Sequence, residues 1–162
     1  MNEFKLFTDG SVNTKSKIGY GAYLLISGNR LVSESLKTEV RVKRFEETTS
    51  TKLELQTLLW ALSKIETNEN KIIIYSDSQN IISLLERRER LEQNNYSSKK
   101  NKFIKNLLLY QEFYKLTDEI DCEFVKVDGH KKANQKDDID QLFTLVDRAS
   151  RNAMRKENHM EE

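Results

Sequence analysis

The apolar positions of this chain fall into two periods. Around Phe4-Lys5-Leu6-Phe7-Thr8-Asp9-Gly10-Ser11 they alternate, which predicts a strand with Lys5, Phe7 and Asp9 on one side and Phe4, Leu6 and Thr8 on the other. Gly10 is expected to end it by a sharp departure, leaving Asp9 at the strand terminus. The polar stretch 12–17 reads as a loop. Gly19 to Ser27 reads as a second strand, Gly28-Asn29 as a tight turn, and Arg30 to Leu36 as a third strand closing an antiparallel meander. Residues 37–50 are mixed and polar. Ile72-Ile73-Ile74-Tyr75-Ser76-Asp77-Ser78 is nearly continuous in its apolar character, as in a parallel strand buried on both faces. The last strand is expected from Cys122 to Val127.

Helical spacing takes over between these runs. Leu58, Ala61, Leu62 and Ile65 form one stripe of a helix expected from Thr51 to Thr67, with Thr51 and Glu54 at capping-box spacing and residues 68–70 closing it. A second helix follows Asp77, carrying Ile81, Ile82, Leu84 and Leu85 before it becomes charged from Glu86 to Glu92. A third runs from about Lys102 to Leu116. The last spans Asp137 to Met154, with Phe143, Val146, Ser150 and Ala153 on one face. There is no proline, so helix boundaries must come from caps and glycine.

At 162 residues this order predicts one α/β domain over residues 1–157 with a frayed tail at 158–162. No apolar stretch nears the roughly 18 residues of a membrane span, and the N-terminal residues lead straight into a strand without a signal peptide. Cys122 is the only cysteine, which excludes an intrachain disulfide and fits a reducing cytoplasm. The formal net charge is +1, so a nucleic-acid partner needs locally clustered basic residues.

Candidate chemistry lies in acids on apolar faces. If the first and fourth strands run parallel side by side, Asp9 and Asp77 share the carboxyl edge where open α/β sheets place ligands. One turn before Leu58 the core stripe reaches Glu54. Asp147 lies beside the inward face of the last helix, one turn after Phe143, with Asp137, Asp138 and Asp140 as competitors near the helix start. Grouped acids repel one another and rise in pKa unless divalent cations neutralise them. An all-oxygen set selects Mg²⁺ or Mn²⁺, and the lack of Cys clusters or paired His argues against zinc. Two ions about 4 Å apart can clamp a phosphodiester and activate water.

The ordered set Thr8-Asp9-Gly10-Ser11, Gly19-Tyr20-Gly21-Ala22, Thr48 to Leu55, Ser76-Asp77-Ser78-Gln79, Val125 to His130 and Val146 to Arg151 resembles the type 1 ribonuclease H family over nearly the whole chain. The resemblance implies the ribonuclease H-like fold, a five-stranded mixed sheet with three antiparallel then parallel strands and helices on both faces. It implies hydrolysis of the RNA strand of RNA–DNA hybrids by two Mg²⁺ ions, with Mn²⁺ as a substitute, giving 5′-phosphate and 3′-hydroxyl ends. Asp9, Glu54, Asp77 and Asp147 become the metal-binding carboxylates, and His130 a loop histidine assisting proton transfer or product release. Gly10, Ser11, Thr49, Ser50, Thr51 and Gln79 fall on substrate-binding positions. Lys99, Lys100 and Lys102 match a basic protrusion that grips the DNA strand. Ser50 and Thr51 stand where the family often has asparagine, and the interval from His130 to Asp147 is longer than in familiar bacterial members. The expected enzyme is a cytoplasmic monomer acting on a hybrid duplex, without membrane association. The alternatives are a non-catalytic hybrid-binding module and a related nuclease of the same fold with another substrate. The strand-one Asp-x-Glu of proofreading exonucleases is missing, and the final acid is not the Glu of integrase-like enzymes.

Overall fold

The computed structural model describes residues 3–27, 30, 32–66, 70–97, 105–129, 131–132, 134 and 136–160. Five strands form one mixed sheet: β1 (Glu3–Asn13), β2 (Ile18–Ser27), β3 (Arg41–Phe45), β4 (Lys71–Ser76) and β5 (Cys122–Lys126). Their spatial order is β3-β2-β1-β4-β5. The first three pair antiparallel, while β4 runs parallel to both β1 and β5. The helices are α1 (Ser50–Ser63), α2 (Gln79–Gln93), α3 (Leu107–Glu119) and α4 (Asp138–Met160). This is the ribonuclease H-like architecture.

The alternation in β1 divides the core in two. Leu6 joins Ile72 and Ile74 under α1, α2 and α3, where Leu58, Leu84 and Phe113 are buried. Its neighbour Phe7 points the other way, with Ala22, Leu24 and Tyr75, against Phe143 and Val146 of α4. The Phe7 and Tyr75 rings stack across the parallel pair at 4.8 Å. Each such buried side chain contributes about 1.5–3 kcal/mol. Trp60 packs edge-on against Tyr23, and Cys122 opens β5 against the first core.

Several expectations need correction. β1 does not end at Gly10; it continues to Asn13, with Gly10 paired to Gly21 of β2. Gly10 has ordinary negative φ, and its value lies in close approach: a Cβ there would stand 2.9 Å from Leu53 Cδ2 of α1. Gly19 and Gly21 continue this bare strip beneath α1. The third strand is Arg41–Phe45, not Arg30 to Leu36. As an edge strand exposed along most of its length, it lacks the apolar alternation that marks a strand in sequence. The earlier stretch forms a 3₁₀ helix, Glu34–Glu39, that buries Leu36 completely. At the other end, α4 extends to Met160, so the tail expected to fray from residue 158 is helical there. Asn158 accepts from Asn13 Nδ2 at 3.1 Å, and Glu157 is paired with Arg44. The turn at Gly28-Asn29 and residues 68 and 69 of the helix-closing segment lie outside the described residues.

Candidate active site

Strand register brings the first two acids together. Phe7 pairs with Tyr75 in the parallel β1–β4 ladder, and two further residues on each chain set Asp9 beside Asp77. Asp9 sits within β1, on the Phe7 face, and so faces α4, which supplies Asp147 immediately after the fully buried Val146. Asp77 is the first residue beyond β4, where the chain turns into α2. Gly129, beyond β5, lies against it: a Cβ on Gly129 would be 3.0 Å from Asp77 Oδ2. A cavity of about 450 Å³ opens here, lined by Asp77, Lys126, Val127, Asp128 and Gly129. From the opposite face α1 descends on the glycine strip and delivers Glu54, whose Oε2 accepts from Ser78 Oγ at 2.6 Å.

That hydrogen bond overturns the capping-box expectation. The cap of α1 is Thr49, whose Oγ1 accepts from the Lys52 N–H at 3.3 Å, and Glu54 is released to face Asp77. Ser78 does two tasks at once. It donates to Glu54, and its Oγ accepts from the Ile81 N–H at 3.2 Å as the cap of α2. Ser78→Ala is expected to destabilise the protein by about 1–2 kcal/mol. Thermal unfolding would read this as a Tm lower by several degrees, with Ser78→Thr retaining most of the lost stability.

The electrostatics follow from this crowding. Asp9 is pushed up to about 8, first by burial and then by the charge of Asp77. A hydrogen bond from its protonated carboxyl to the Asp147 carboxylate raises it further, against the opposing effect of the Gly10 N–H. Glu54 is also raised, by burial and then by Asp77, with the Ser78 hydroxyl working the other way. The four acids therefore form a connected series: Glu54 with Asp77, Asp77 with Asp9, and Asp9 with Asp147. Asp147 is held from outside by Arg151, one turn on, at 3.0 Å.

Among the described residues no three acids, histidines or cysteines already stand as a closed metal-ligand group. Each of the two outer acids has a partner of its own, Ser78 for Glu54 and Arg151 for Asp147. The donor chemistry nonetheless fits a hard divalent cation: the cluster is all oxygen, and burial together with the charge of the neighbouring acids raises the pKa of its central acid.

Two of the competing acids, Asp137 and Asp140, have structural tasks, and the Asp137 carboxylate accepts from the Asp140 N–H at 2.8 Å. The carboxylate of buried Asp140 accepts from Lys131 Nζ at 3.0 Å and from the Asp137 N–H. Burial opposes its ionisation, but these donors outweigh it and hold the carboxyl below the usual range. Gly10 and Ser11 follow Asp9 within β1, and Ser50 and Thr51 open α1 beside its Thr49 cap. Gln79 starts α2 and accepts from Lys126 Nζ at 2.7 Å. The structure thus adds Ser78, Lys126, Gly129 and Arg151 to the site. Only Arg151 had a local signal, its four-residue spacing from Asp147. Of the basic segment, Arg88 is paired with Glu92 and Asp118, while Lys99, Lys100 and Lys102 lie outside the described residues, as does His130.

Known proteins resemble both the sequence and the fold. The RNase H family model matches residues 1–149. A ribonuclease H of Acetivibrio thermocellus is 26% identical over 147 residues, covering 89% of this chain and 94% of that protein. One from Caldicellulosiruptor saccharolyticus is 27% identical over 134 residues, covering 80% and 86%. Among solved structures, the PFV RNase H domain superposes with a TM-score of 0.72 at 16% identity, covering 93% of each chain. LC9-RNase H1, described as a type 1 RNase H with the type 2 active-site motif, gives 0.69 at 18% identity, covering 94% of this chain and 72% of that one.

Proposed function

This chain belongs to the RNase H family and is a nuclease, and from that premise we propose that it hydrolyses the RNA strand of RNA–DNA hybrids with two divalent metal ions, leaving 5′-phosphate and 3′-hydroxyl ends. The observation that carries the reading is the position of Asp9, held inside β1 between Asp77 and Asp147 with its carboxyl pushed up to about 8. Such crowding disfavours the metal-free charged state and is relieved by cations.

Asp9, Glu54, Asp77 and Asp147 would hold Mg²⁺, or Mn²⁺ in its place. When bound, such ions polarise the phosphodiester and supply an activated water. Asp9 must give up its proton before it can act as a ligand, so activity should rise with pH across neutrality. Ser78 fixes the Glu54 carboxylate, and Arg151 steadies Asp147 through one oxygen. Gln79, steadied by Lys126, stands one residue beyond Ser78 and is assigned to the hybrid's minor groove. The hydroxyls of Thr49, Ser50 and Thr51 are assigned to the DNA phosphate and groove contacts, and Gly10 and Ser11 to the strand passing Asp9. His130 follows Gly129, which touches Asp77, and is assigned to proton transfer or product release. A 2′-hydroxyl is the feature by which such a site tells RNA from DNA.

The test uses a duplex labelled on both strands, in RNA–DNA, RNA–RNA and DNA–DNA forms, with Mg²⁺, Mn²⁺ or EDTA. Cutting confined to the RNA strand of the hybrid, dependent on metal and leaving 3′-hydroxyl ends, is expected. Binding of the hybrid without cleavage by folded protein in Mg²⁺ or Mn²⁺ would favour the non-catalytic module, and cleavage of another duplex would reassign the substrate.

A further inference from the structure

The two stripes that carry Asp9 and Asp147 continue past the acids and form a second feature. On β1 the residues sharing the Asp9 face are Ser11 and Asn13. On α4, Arg151 and Arg155 follow Asp147 at four-residue steps, and Asn158 comes three further on. Between them lies an open groove of about 530 Å³, whose lining includes Ser11, Asn13, Lys15, Arg151, Arg155 and Asn158.

The groove is built rather than incidental. Its far end is closed by the hydrogen bond from Asn13 Nδ2 to Asn158 Oδ1 at 3.1 Å. The other amide atom of Asn13 accepts from the Lys15 and Ser16 N–H groups at 2.9 and 3.3 Å, which fixes the turn that presents Lys15. Among the described residues no carboxylate lines it. Glu157, the acid closest in sequence on α4, is turned away into its pair with Arg44. Among the described residues neither Lys15 nor Arg155 has an ion-pair partner; Arg155 only donates to Asn152 Oδ1 at 3.4 Å. Three cations, one of them shared with Asp147, thus line a groove together with hydroxyl and amide side chains and the apolar Val12 and Met154.

We propose that this groove holds the phosphates of the strand being cut as it leaves the acids on one side of the scissile bond. The geometry favours that strand because the groove follows the same two stripes that carry the acids, beginning two residues past Asp9 and four past Asp147. Four strand residues from Asp9 to Asn13 span about 13 Å, and the eleven-residue step from Asp147 to Asn158 about 16 Å. A nucleic-acid strand carries one charge per about 3.4 Å of helix axis, so the groove accommodates several consecutive phosphates. Lys15 and Arg155 are the phosphate contacts, and Asn13 and Asn158 are positioning residues that hold the two walls together.

This proposal rests on the hydrolytic reading of the acids, so its test uses binding instead of cleavage. Fluorescence anisotropy of a labelled hybrid in EDTA, over a series of salt concentrations, would compare the wild type with Lys15→Ala/Arg155→Ala and with Arg155→Glu. The double variant is expected to bind about tenfold more weakly at low salt, with the slope of log K against log salt reduced by about 2 in magnitude. Arg155→Glu should show a larger loss of affinity. Lys156→Ala, which removes one positive charge one residue along α4 and outside the groove lining, should stay within about twofold of wild type, and all variants should melt as wild type does. Equal affinity and equal salt slope in wild type and double variant would overturn the groove. A hybrid that binds but is not cut by the wild type, with the variant difference intact, would overturn the hydrolytic reading alone.

Discussion

Asp9→Asn and Asp77→Asn are each expected to reduce hybrid cleavage by about 10³-fold or more while leaving the fold intact. Asp9→Asn should in addition make the metal-free protein more stable. The carboxyl at Asp9 has a pKa of about 8 in the folded state against 3.8 for an ordinary aspartate. Between those values the folded chain holds a proton that the unfolded chain has released, so wild-type stability falls as pH rises from about 4 to 8. An amide of the same shape removes that dependence. At pH 8 the variant should be more stable by about 2 kcal/mol, a fraction of the full electrostatic penalty because the half-buried carboxyl keeps contact with water. Chemical denaturation at pH 5 and pH 8 checks this: the two proteins should converge at the lower pH and separate at the higher. Cleavage retained by purified Asp77→Asn would remove the site assignment.

Gly21→Ala should cause the largest stability loss of any single methyl added to the sheet, about 3 kcal/mol. The new Cβ would stand 2.1 Å from Thr57 Oγ1 and under 3 Å from two of its carbons. Thr57 is fully buried and β-branched, and its hydroxyl donates to Leu53 O at 2.7 Å, so it has no rotamer into which to retreat. The whole of α1 must lift instead, and Glu54 rides on α1. Thermal unfolding should show a Tm lower by about 10 °C, and cleavage should fall further than the folded fraction does. Gly10→Ala makes a useful contrast. Its Cβ would stand 2.9 Å from Cδ2 and 3.1 Å from Cγ of Leu53, a side chain without a β-branch, so a smaller loss of about 1 kcal/mol is expected. Equal losses at the two positions would mean that α1 does not rest on Gly21 as described.

The sequence revealed the acids because each breaks a pattern. Asp9 stands in an apolar alternation, Asp77 ends an apolar run, Glu54 extends a core stripe, and Asp147 borders one. The buried place of β4 followed from the same logic, since a run such as Ile72-Ile73-Ile74 belongs in the interior of a parallel sheet. What stayed hidden depends on contacts remote in sequence. The edge strand Arg41–Phe45 carries charges because water covers it, so nothing in its composition marks it as a strand. Gly10 reads as a turn when only its neighbours are considered, and the reason for it is Leu53, forty-three positions away in the sequence. The spacing of Thr51 and Glu54 suggests a local cap, whereas the Ser78 hydroxyl from another element claims Glu54. Arg151 and Lys126 belong to the site for the same reason, through the partners that the fold brings to them.

Metal binding itself tests the central claim most directly, because it needs no substrate. Titration calorimetry of Mn²⁺ into the nucleic-acid-free protein at pH 8 should show binding to the wild type and its loss in Asp9→Asn and in Asp77→Asn. Equal Mn²⁺ binding by all three proteins would contradict the assignment of these carboxylates as the metal site.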